Sequence, residues 1–242
     1  MKGILLLWLA WVSTPLLAQP LPTLTAQEKR DGWQLLFDGK TTTGWRSAYA
    51  QSFPQQGWVV QEGELRGKLA NGGESGDAGD IVTLKKFRNF ELIFDWKLEA
   101  GGNSGVKYFI EERQPKPQKG SQAGYEYQLI DDANYVYNDK HLPGDLKTAS
   151  IYDVMAAQKP DTPMGVWHQA RIVVNGNHIE HWLNGQKVLD TDRTSAAFRQ
   201  GVADSKYADY QGFDTIREGH ILLQDHGHGV AFRAIKIREL NP

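Results

Sequence analysis

Apolar and polar positions alternate along most of the chain, which predicts a protein built from short β-strands. In residues 90–98 every second side chain is large and apolar, from Phe90 to Leu98, the two-residue period of a strand with one face in a core. Residues 178–189 predict a hairpin, because Asn184-Gly185 at its centre suits the two positive-φ positions of a type I′ turn. Many short strands with little helix predict an all-β fold of two antiparallel sheets packed as a jelly-roll sandwich.

The same pattern sets the expected positions of the elements. Short helices are predicted at 25–29 and at 196–207, the second capped by Thr194 or Ser195. Strands are predicted at 33–37, 58–61, 64–66, 90–98, 106–110, 125–132, 150–154, 167–174, 178–183, 186–189, 221–227 and 230–240.

The strand at 125–132 presents two chemically different faces. Tyr125, Tyr127 and Leu129 lie on one face, and Glu126 and Gln128 lie on the other. A carboxylate beside an amide suits a surface that binds a polyhydroxylated ligand and moves a proton on it. The alternative is an ordinary half-buried strand whose polar face lies in water.

Other strands offer polar side chains at matching positions. Gln224 and His226 share a face, Lys107 opposes Val106, and Arg171 opposes Ala170. If these strands lie in one concave sheet with the 125–132 strand, the sheet carries an acid or base pair, two amides and two cations. For His226 alone, a buried hydrogen-bonded structural role is the competing interpretation.

Charge and composition exclude several classes of function. The 242-residue chain has a net charge of -2, and the absence of Lys/Arg runs argues against nucleic-acid binding. It contains no cysteine, so disulfides, thiol nucleophiles and thiolate zinc sites are excluded. Any metal would be held by histidines and carboxylates.

The N-terminus predicts export. Lys2 precedes an apolar run at 4–12 that is too short to span a bilayer, and small and polar residues follow as far as Ala18. We therefore expect a signal peptide at 1–18, a leader at 19–32 and one domain at 33–242. The mature protein should be periplasmic or secreted and free of the membrane.

Other candidate chemistry is weaker. His226 and His228 make an unlikely metal pair, since no clear third ligand accompanies them. Tyr152, Trp167 and Trp182 are candidate sugar platforms, although tryptophans in β-sandwiches are more often core residues. No Gly-x-Ser-x-Gly elbow is present, so a serine triad is unsupported.

Several runs, taken together and in order, resemble the 3-keto-disaccharide hydrolase family over residues 33–240. The resemblance implies a concanavalin-like jelly roll and a secreted bacterial enzyme that acts on oxidised glycosides. The chain departs from the family pattern at His168, where the family usually has Asn, and His228 lies outside the shared motifs, so neither is expected to be functional. The matching runs are Gly101-Gly102-Asn103-Ser104-Gly105-Val106-Lys107-Tyr108, Tyr125 to Asp132, Ser150 to Asp153, Val166-Trp167, Glu180 to Gly185, Ser205-Lys206-Tyr207 and Ile221 to Gly227.

The resemblance implies a reaction that suits the polar face. A ketone at C3 acidifies the C2 hydrogen, so a base can remove it, the C1 aglycone can leave by β-elimination, and water can then add back. We expect Glu126 or His226 as base and acid, and Lys107 or Arg171 as enolate stabiliser. A divalent cation could replace that cationic side chain as the Lewis acid. The expected substrate-binding residues are Asn103, Gln128, Asp131, Tyr152, Trp182 and Gln224.

Two other functions fit the same pattern. A conventional glycosidase needs two suitably spaced carboxyl groups, about 5 Å apart for retention. Here the residue two positions beyond Glu126 is the amide Gln128, and Asp131 has the wrong parity unless a bulge intervenes. A non-catalytic lectin-like module would need only the sheet and Trp182.

Overall fold

The computed structural model describes residues 21–70, 79–113, 124–136, 142–210 and 212–241. The predicted signal peptide lies outside these residues. None of the helices in these residues has the length and hydrophobicity that a membrane span requires. The helices are α1 (Ala26–Arg30) and α2 (Ala196–Asp204), with 3₁₀ turns at Gly144–Leu146 and Phe213–Thr215. The strands are β1 (Gln34–Leu35), β2 (Trp45–Ser47), β3 (Trp58–Gln61), β4 (Glu64–Gly67), β5 (Ile81–Phe87), β6 (Phe90–Leu98), β7 (Asn103–Ile110), β8 (Tyr125–Ile130), β9 (His168–Asn175), β10 (His178–Leu183), β11 (Gln186–Asp192), β12 (Gly219–Leu223) and β13 (Val230–Glu239).

Two antiparallel sheets form a sandwich, which confirms the predicted fold class. The larger sheet runs β11-β10-β9-β6-β13-β4-β3, with β1 also paired to β13. The five-stranded sheet runs β2-β5-β12-β7-β8. β7 and β8 are therefore neighbours, with β8 at the edge of the smaller sheet.

The core lies between the sheets and is filled by the predicted apolar faces. Tyr125, Tyr127 and Leu129 are at most 1% exposed, and the ring of Phe94 from the other sheet meets that of Tyr127 edge-on, 5.8 Å between centroids. Burial of such large side chains is the main favourable contribution to folding. It also fixes the register, because a one-residue slip would turn the core face of β8 outwards.

Local signals placed several elements correctly. Asn184 and Gly185 both have positive φ, 50° and 80°, and connect β10 to β11 as the type I′ turn requires. The Ser195 hydroxyl accepts a hydrogen bond from Phe198 N and so caps α2. Thr25 and Glu28 form a capping box on α1.

Other predictions were wrong. Residues 150–154 form turns with isolated bridges, Tyr127 to Ile151 and Ile151 to Met155, instead of a strand. The pattern also missed β2 and β5. β5 lacks alternation because its first three residues are buried and its next three are exposed, so no two-residue period marks it.

Candidate active site

A pocket of about 560 Å³ lies on the face of the five-stranded sheet that points away from the core. A second cavity of about 490 Å³, lined by Arg88, Asn177 and nearby turn residues, contains none of the predicted site residues. The structure brings seven predicted residues together in the first pocket: Asn103, Lys107, Glu126, Gln128, Tyr152, Gln224 and His226.

A buried ion pair forms the floor of this pocket. Lys107 on β7 is the direct cross-strand partner of Glu126 on β8, and Lys107 Nζ lies 3.1 Å from Glu126 Oε2, with both side chains at most 4% exposed. The polar face of β8 is therefore a buried charged surface and does not lie in open water. A buried pair of this kind holds both side chains in place, because separating either charge from its partner is costly.

Gly105 makes room for the Glu126 carboxylate. A Cβ atom at Gly105 would lie 2.2 Å from Glu126 Oε1, 2.9 Å from Cδ and 3.0 Å from Cγ, far inside van der Waals contact. Its φ does not lie in the left-handed region, so glycine is required here by the close approach of Glu126.

Two amide oxygens in the pocket are candidate hydroxyl acceptors. Gln224 follows β12 and is held by backbone contacts, since its N donates to Gly105 O at 2.9 Å and its O accepts from Ser104 Oγ at 2.9 Å. Gln224 Oε1 and Asn103 Oδ1 are both buried and have no hydrogen-bond partner among the described residues. Since a buried unpaired acceptor costs free energy, both oxygens are suited to accept a hydroxyl hydrogen from a bound ligand.

The histidines lie in the turn that follows β12. Gly227 has φ 68° and donates its N–H to Asp225 Oδ1 at 3.0 Å. The turn stacks the rings of His226 and His228, 5.2 Å between centroids, with their Nδ1 atoms 3.3 Å apart. Burial lowers the pKa of His228 below its ordinary value. His228 was not expected to be functional, and in the structure it packs directly against the His226 ring.

Sequence reasoning missed two charged residues on the pocket wall, Asp153 and Lys206. Lys206 Nζ lies 4.5 Å from the centre of the Tyr152 ring, and Lys206 N donates to Asp153 Oδ2 at 2.7 Å. Tyr152 N in turn donates to Glu126 O at 3.1 Å. The family-like run Ser205-Lys206-Tyr207 was the available signal, but it follows a helix, where strand parity gives no information.

Asp131 lies outside the pocket, contrary to its predicted role as a hydroxyl ligand. Its Oδ2 accepts from Gly101 N at 2.8 Å and from Asn134 Nδ2 at 2.9 Å. Its Oδ1 accepts from the backbone N–H groups of Ala133 and Asn134. The Asp131 carboxylate therefore joins the turn that follows β8 to Gly101, which precedes β7.

The neighbouring Asp132 anchors the pocket wall. Its Oδ1 accepts from Thr148 N at 2.8 Å, and its Oδ2 accepts from Lys159 Nζ at 2.5 Å and Thr162 N at 3.0 Å. These bonds hold the segment that carries Tyr152 against the end of β8.

Arg171 and Trp182 also lie outside the pocket, so their placement in the site was wrong. They lie on β9 and β10 of the larger sheet, where the Arg171 guanidinium lies 4.7 Å from the Trp182 ring centre and Arg171 Nε lies 2.6 Å from Glu91 Oε1. The parity prediction for Arg171 was correct, since its neighbours Ala170 and Ile172 are buried. Parity identifies the face of a strand but not the sheet to which it belongs.

Among the described residues, three potential metal ligands come together at His178, Glu180 and Asp190, on the β10–β11 hairpin. Lys187 pairs with both carboxylates. This cluster lies in the larger sheet and contains none of the pocket-lining or predicted site residues.

Comparisons with known proteins identify the family to which the chain is similar. A model of the 3-keto-alpha-glucoside-1,2-lyase-like domain matches residues 32–238. A 3-keto-disaccharide hydrolase from Bacteroides thetaiotaomicron is 30% identical over 249 positions, which cover 95% of this chain and 86% of that protein.

Two crystal structures of candidate glycosyl hydrolases from Parabacteroides distasonis are also similar. One has a TM-score of 0.80 at 33% identity, over 92% of this chain and 100% of that one. The other has a TM-score of 0.66 at 26% identity, over 86% of this chain and 99% of that one.

Proposed function

The chain belongs to the family of 3-keto-alpha-glucoside-1,2-lyase-like domains, and from this membership we propose that it cleaves 3-keto-glycosides by C2 proton abstraction, β-elimination and hydration. The observation that carries the proposal is the pocket itself. It places the Glu126 carboxylate, the His226 ring and the Lys107 ammonium group beside two buried amide acceptors.

The reaction needs few groups from the protein. A base removes the C2 proton beside the C3 ketone, and the electron pair delocalises onto the ketone oxygen as an enolate. Collapse of the enolate breaks the C1–O bond, with a proton delivered to the departing aglycone oxygen. Water then adds across the resulting double bond to give the free 3-keto sugar.

Glu126 and His226 supply the base and acid of this route, and Lys107 supplies positive charge for the enolate. A preorganised charge in a desolvated pocket stabilises a developing anion more strongly than it would in water. The ion pair at 3.1 Å keeps Lys107 at the pocket floor. Gln224, Asn103 and Gln128 bind sugar hydroxyls, and Tyr152 under Lys206 forms a flat wall against the ring.

The first rival function is a two-carboxylate glycosidase. Among the described pocket residues, Asp153 is the other carboxylate, so a conventional glycosidase would pair it with Glu126. Asp153 Oδ2 already accepts the Lys206 N–H, which favours a structural role. The second rival, a lectin-like module, would bind sugar in this pocket without turnover.

The deciding experiment compares a 3-keto disaccharide with its unoxidised parent, each with and without chelator. We expect cleavage of the oxidised sugar alone, together with slower turnover of a C2-deuterated substrate or exchange of that position with solvent. Equal cleavage of both sugars would support the glycosidase, and tight binding without turnover would support the lectin. Loss of activity in chelator would assign the Lewis-acid role to a divalent cation.

Two matched carboxylate variants test the assignment. Glu126→Gln should lower turnover by about 100-fold or more, the usual contribution of a general acid or base, with a smaller change in binding. Asp153→Asn makes the same chemical change on the pocket wall and should cost much less. Equal losses in both variants would contradict the single-base route.

We propose that the enzyme acts outside the cytoplasm after removal of residues 1–18. The charged, apolar and small-residue regions of a secretory signal support this. Mass spectrometry of the exported protein should find a start near Gln19, and a mature product that retains Met1 would contradict it.

A further inference from the structure

Asp80 is a buried carboxyl group beside the pocket. It directly precedes β5 and is 5% exposed. Its backbone O accepts from Ala48 N at 2.9 Å, and its side-chain Oδ1 accepts from Asp225 N at 3.0 Å. Asp80 therefore joins the start of β5 to the segment that follows β12.

That segment carries two pocket residues. Gln224 and His226 flank Asp225 and line the pocket, and Asp225 Oδ1 accepts from Gly227 N at 3.0 Å. A chain of two hydrogen bonds thus runs from the Asp80 carboxyl group to the turn of His226. A shift of Asp80 would be passed to His226 through this chain.

The charges around Asp80 are unbalanced. Among the described residues, Lys107 from β7, Glu126 from β8 and Asp225 after β12 act electrostatically on Asp80, so its charged neighbours are two buried carboxyl groups and one ammonium group. Several like charges are unfavourable together in a desolvated site. In accordance with this, burial raises the pKa of Asp80 to about 6, although Lys107 opposes the shift.

We propose that Asp80 is a positioning residue of this site: its carboxyl group fixes the backbone that carries His226, and its negative charge counters the positive charge of Lys107 beside Glu126. This rests on the proposed function in one respect, the assignment of Glu126 as a proton-transfer group. When Asp80 is ionised, it offsets the electrostatic effect of Lys107 on Glu126. When Asp80 is protonated, that compensation is lost.

Two variants separate the two roles. Asp80→Asn keeps an oxygen that can accept the Asp225 N–H but removes the charge, whereas Asp80→Ala removes both. In the wild type, kcat/KM for the 3-keto disaccharide should rise as pH increases through about 6. Asp80→Asn should lose this rise and be up to about tenfold less active at pH 8, equivalent to about 1.4 kcal/mol of transition-state stabilisation. Asp80→Ala should lose activity at every pH and should also shift the His226 ring signals.

Asp131→Asn is the matched control, because Asp131 is a buried carboxyl group outside the pocket lining, and its described side-chain bonds go to the turn after β8 and to Gly101 before β7. It should keep the wild-type pH dependence. A merely structural role for Asp80 would leave the pH profile of Asp80→Asn like that of the wild type, which would overturn the proposal.

A second readout does not depend on turnover. Carbon-13 NMR of the Glu126 carboxyl group should show a step near pH 6 in the wild type, and the step should be absent in Asp80→Asn. If the wild type does not cleave the 3-keto sugar but the step behaves in this way, the proposed reaction fails and the coupling stands. A step that persists in Asp80→Asn refutes the coupling whatever the substrate.

Discussion

Replacing Gly105 with alanine tests whether the position of the Glu126 carboxylate controls the reaction. The new Cβ would lie 2.2 Å from Oε1, whereas ordinary contact begins at 3.4 Å. The carboxylate must therefore retreat by about 1 Å, away from the strand that carries Lys107. The backbone of Gly105 does not have positive φ, so alanine introduces no backbone strain of its own.

The expected losses follow from that displacement. A misplacement of about 1 Å at a reacting group can cost about 100-fold in rate, equivalent to about 2.7 kcal/mol of transition-state stabilisation. Overpacking a buried site typically lowers the free energy of unfolding by about 1–3 kcal/mol. We expect both effects in Gly105→Ala, measured as kcat/KM on the 3-keto disaccharide and by denaturant unfolding.

Gly144→Ala is the matched control. Its Cβ would meet Ala156 Cβ at 3.5 Å, an ordinary contact, in the turn beside the pocket residue Pro143. A double mutant sharpens the test, since Glu126→Asp shortens the side chain that clashes. If the clash is the cause, adding Gly105→Ala to Glu126→Asp should cost much less than Gly105→Ala costs alone. A folded Gly105→Ala enzyme with activity within about threefold of wild type would refute the reasoning, because the displacement would then be harmless.

Three further predictions concern the pocket wall, the larger sheet and the core. Lys206→Met keeps most of the side-chain length but removes the ammonium group that lies 4.5 Å from the Tyr152 ring centre. In steady-state kinetics KM should therefore rise by about three- to tenfold, with a smaller change in kcat. Arg171→Ala should leave kcat/KM unchanged, because the residue lies outside the pocket. It should lower the free energy of unfolding by at most about 1 kcal/mol, since its side chain is 36% exposed. A large loss of kcat/KM would place Arg171 in the site after all. Burial lowers the pKa of His181 from 6.5 to about 4. The stability contributed by the neutral buried ring is therefore fully present above pH 6.5. As pH falls from 6.5 towards 4, the free energy of unfolding should decrease by up to about 3 kcal/mol. Unfolding measured between pH 7 and 4 should show this slope, and His181→Gln should flatten it.

Strand parity predicted much of the polar lining of the pocket. Because successive side chains in a strand point to opposite faces, the sequence alone placed Glu126 and Gln128 on one face of β8 and Lys107 on the matching face of β7. Those residues lie together in the pocket with Gln224 and His226. The apolar alternation of β6 and the Asn184-Gly185 turn were equally local signals, and both elements are confirmed.

Tertiary structure decided everything that depended on which strands are neighbours. Arg171 has the parity of a site residue, but β9 pairs with β6 and β10 in the other sheet. Lys206 has no strand parity, yet the packing of its segment against Tyr152 brings it to the pocket. Asp80 precedes a strand without alternation, and only the pairing of β5 with β12 brings its carboxyl group to Asp225.

The division has a simple physical cause. A strand's faces follow from backbone geometry within a few residues and are therefore written locally in the sequence. Strand order, sheet membership and the approach of one charged group to another depend on contacts between residues far apart in the chain. The sequence alone determined the polar face and the candidate chemistry of this protein, and the fold determined which of those side chains meet in one desolvated pocket.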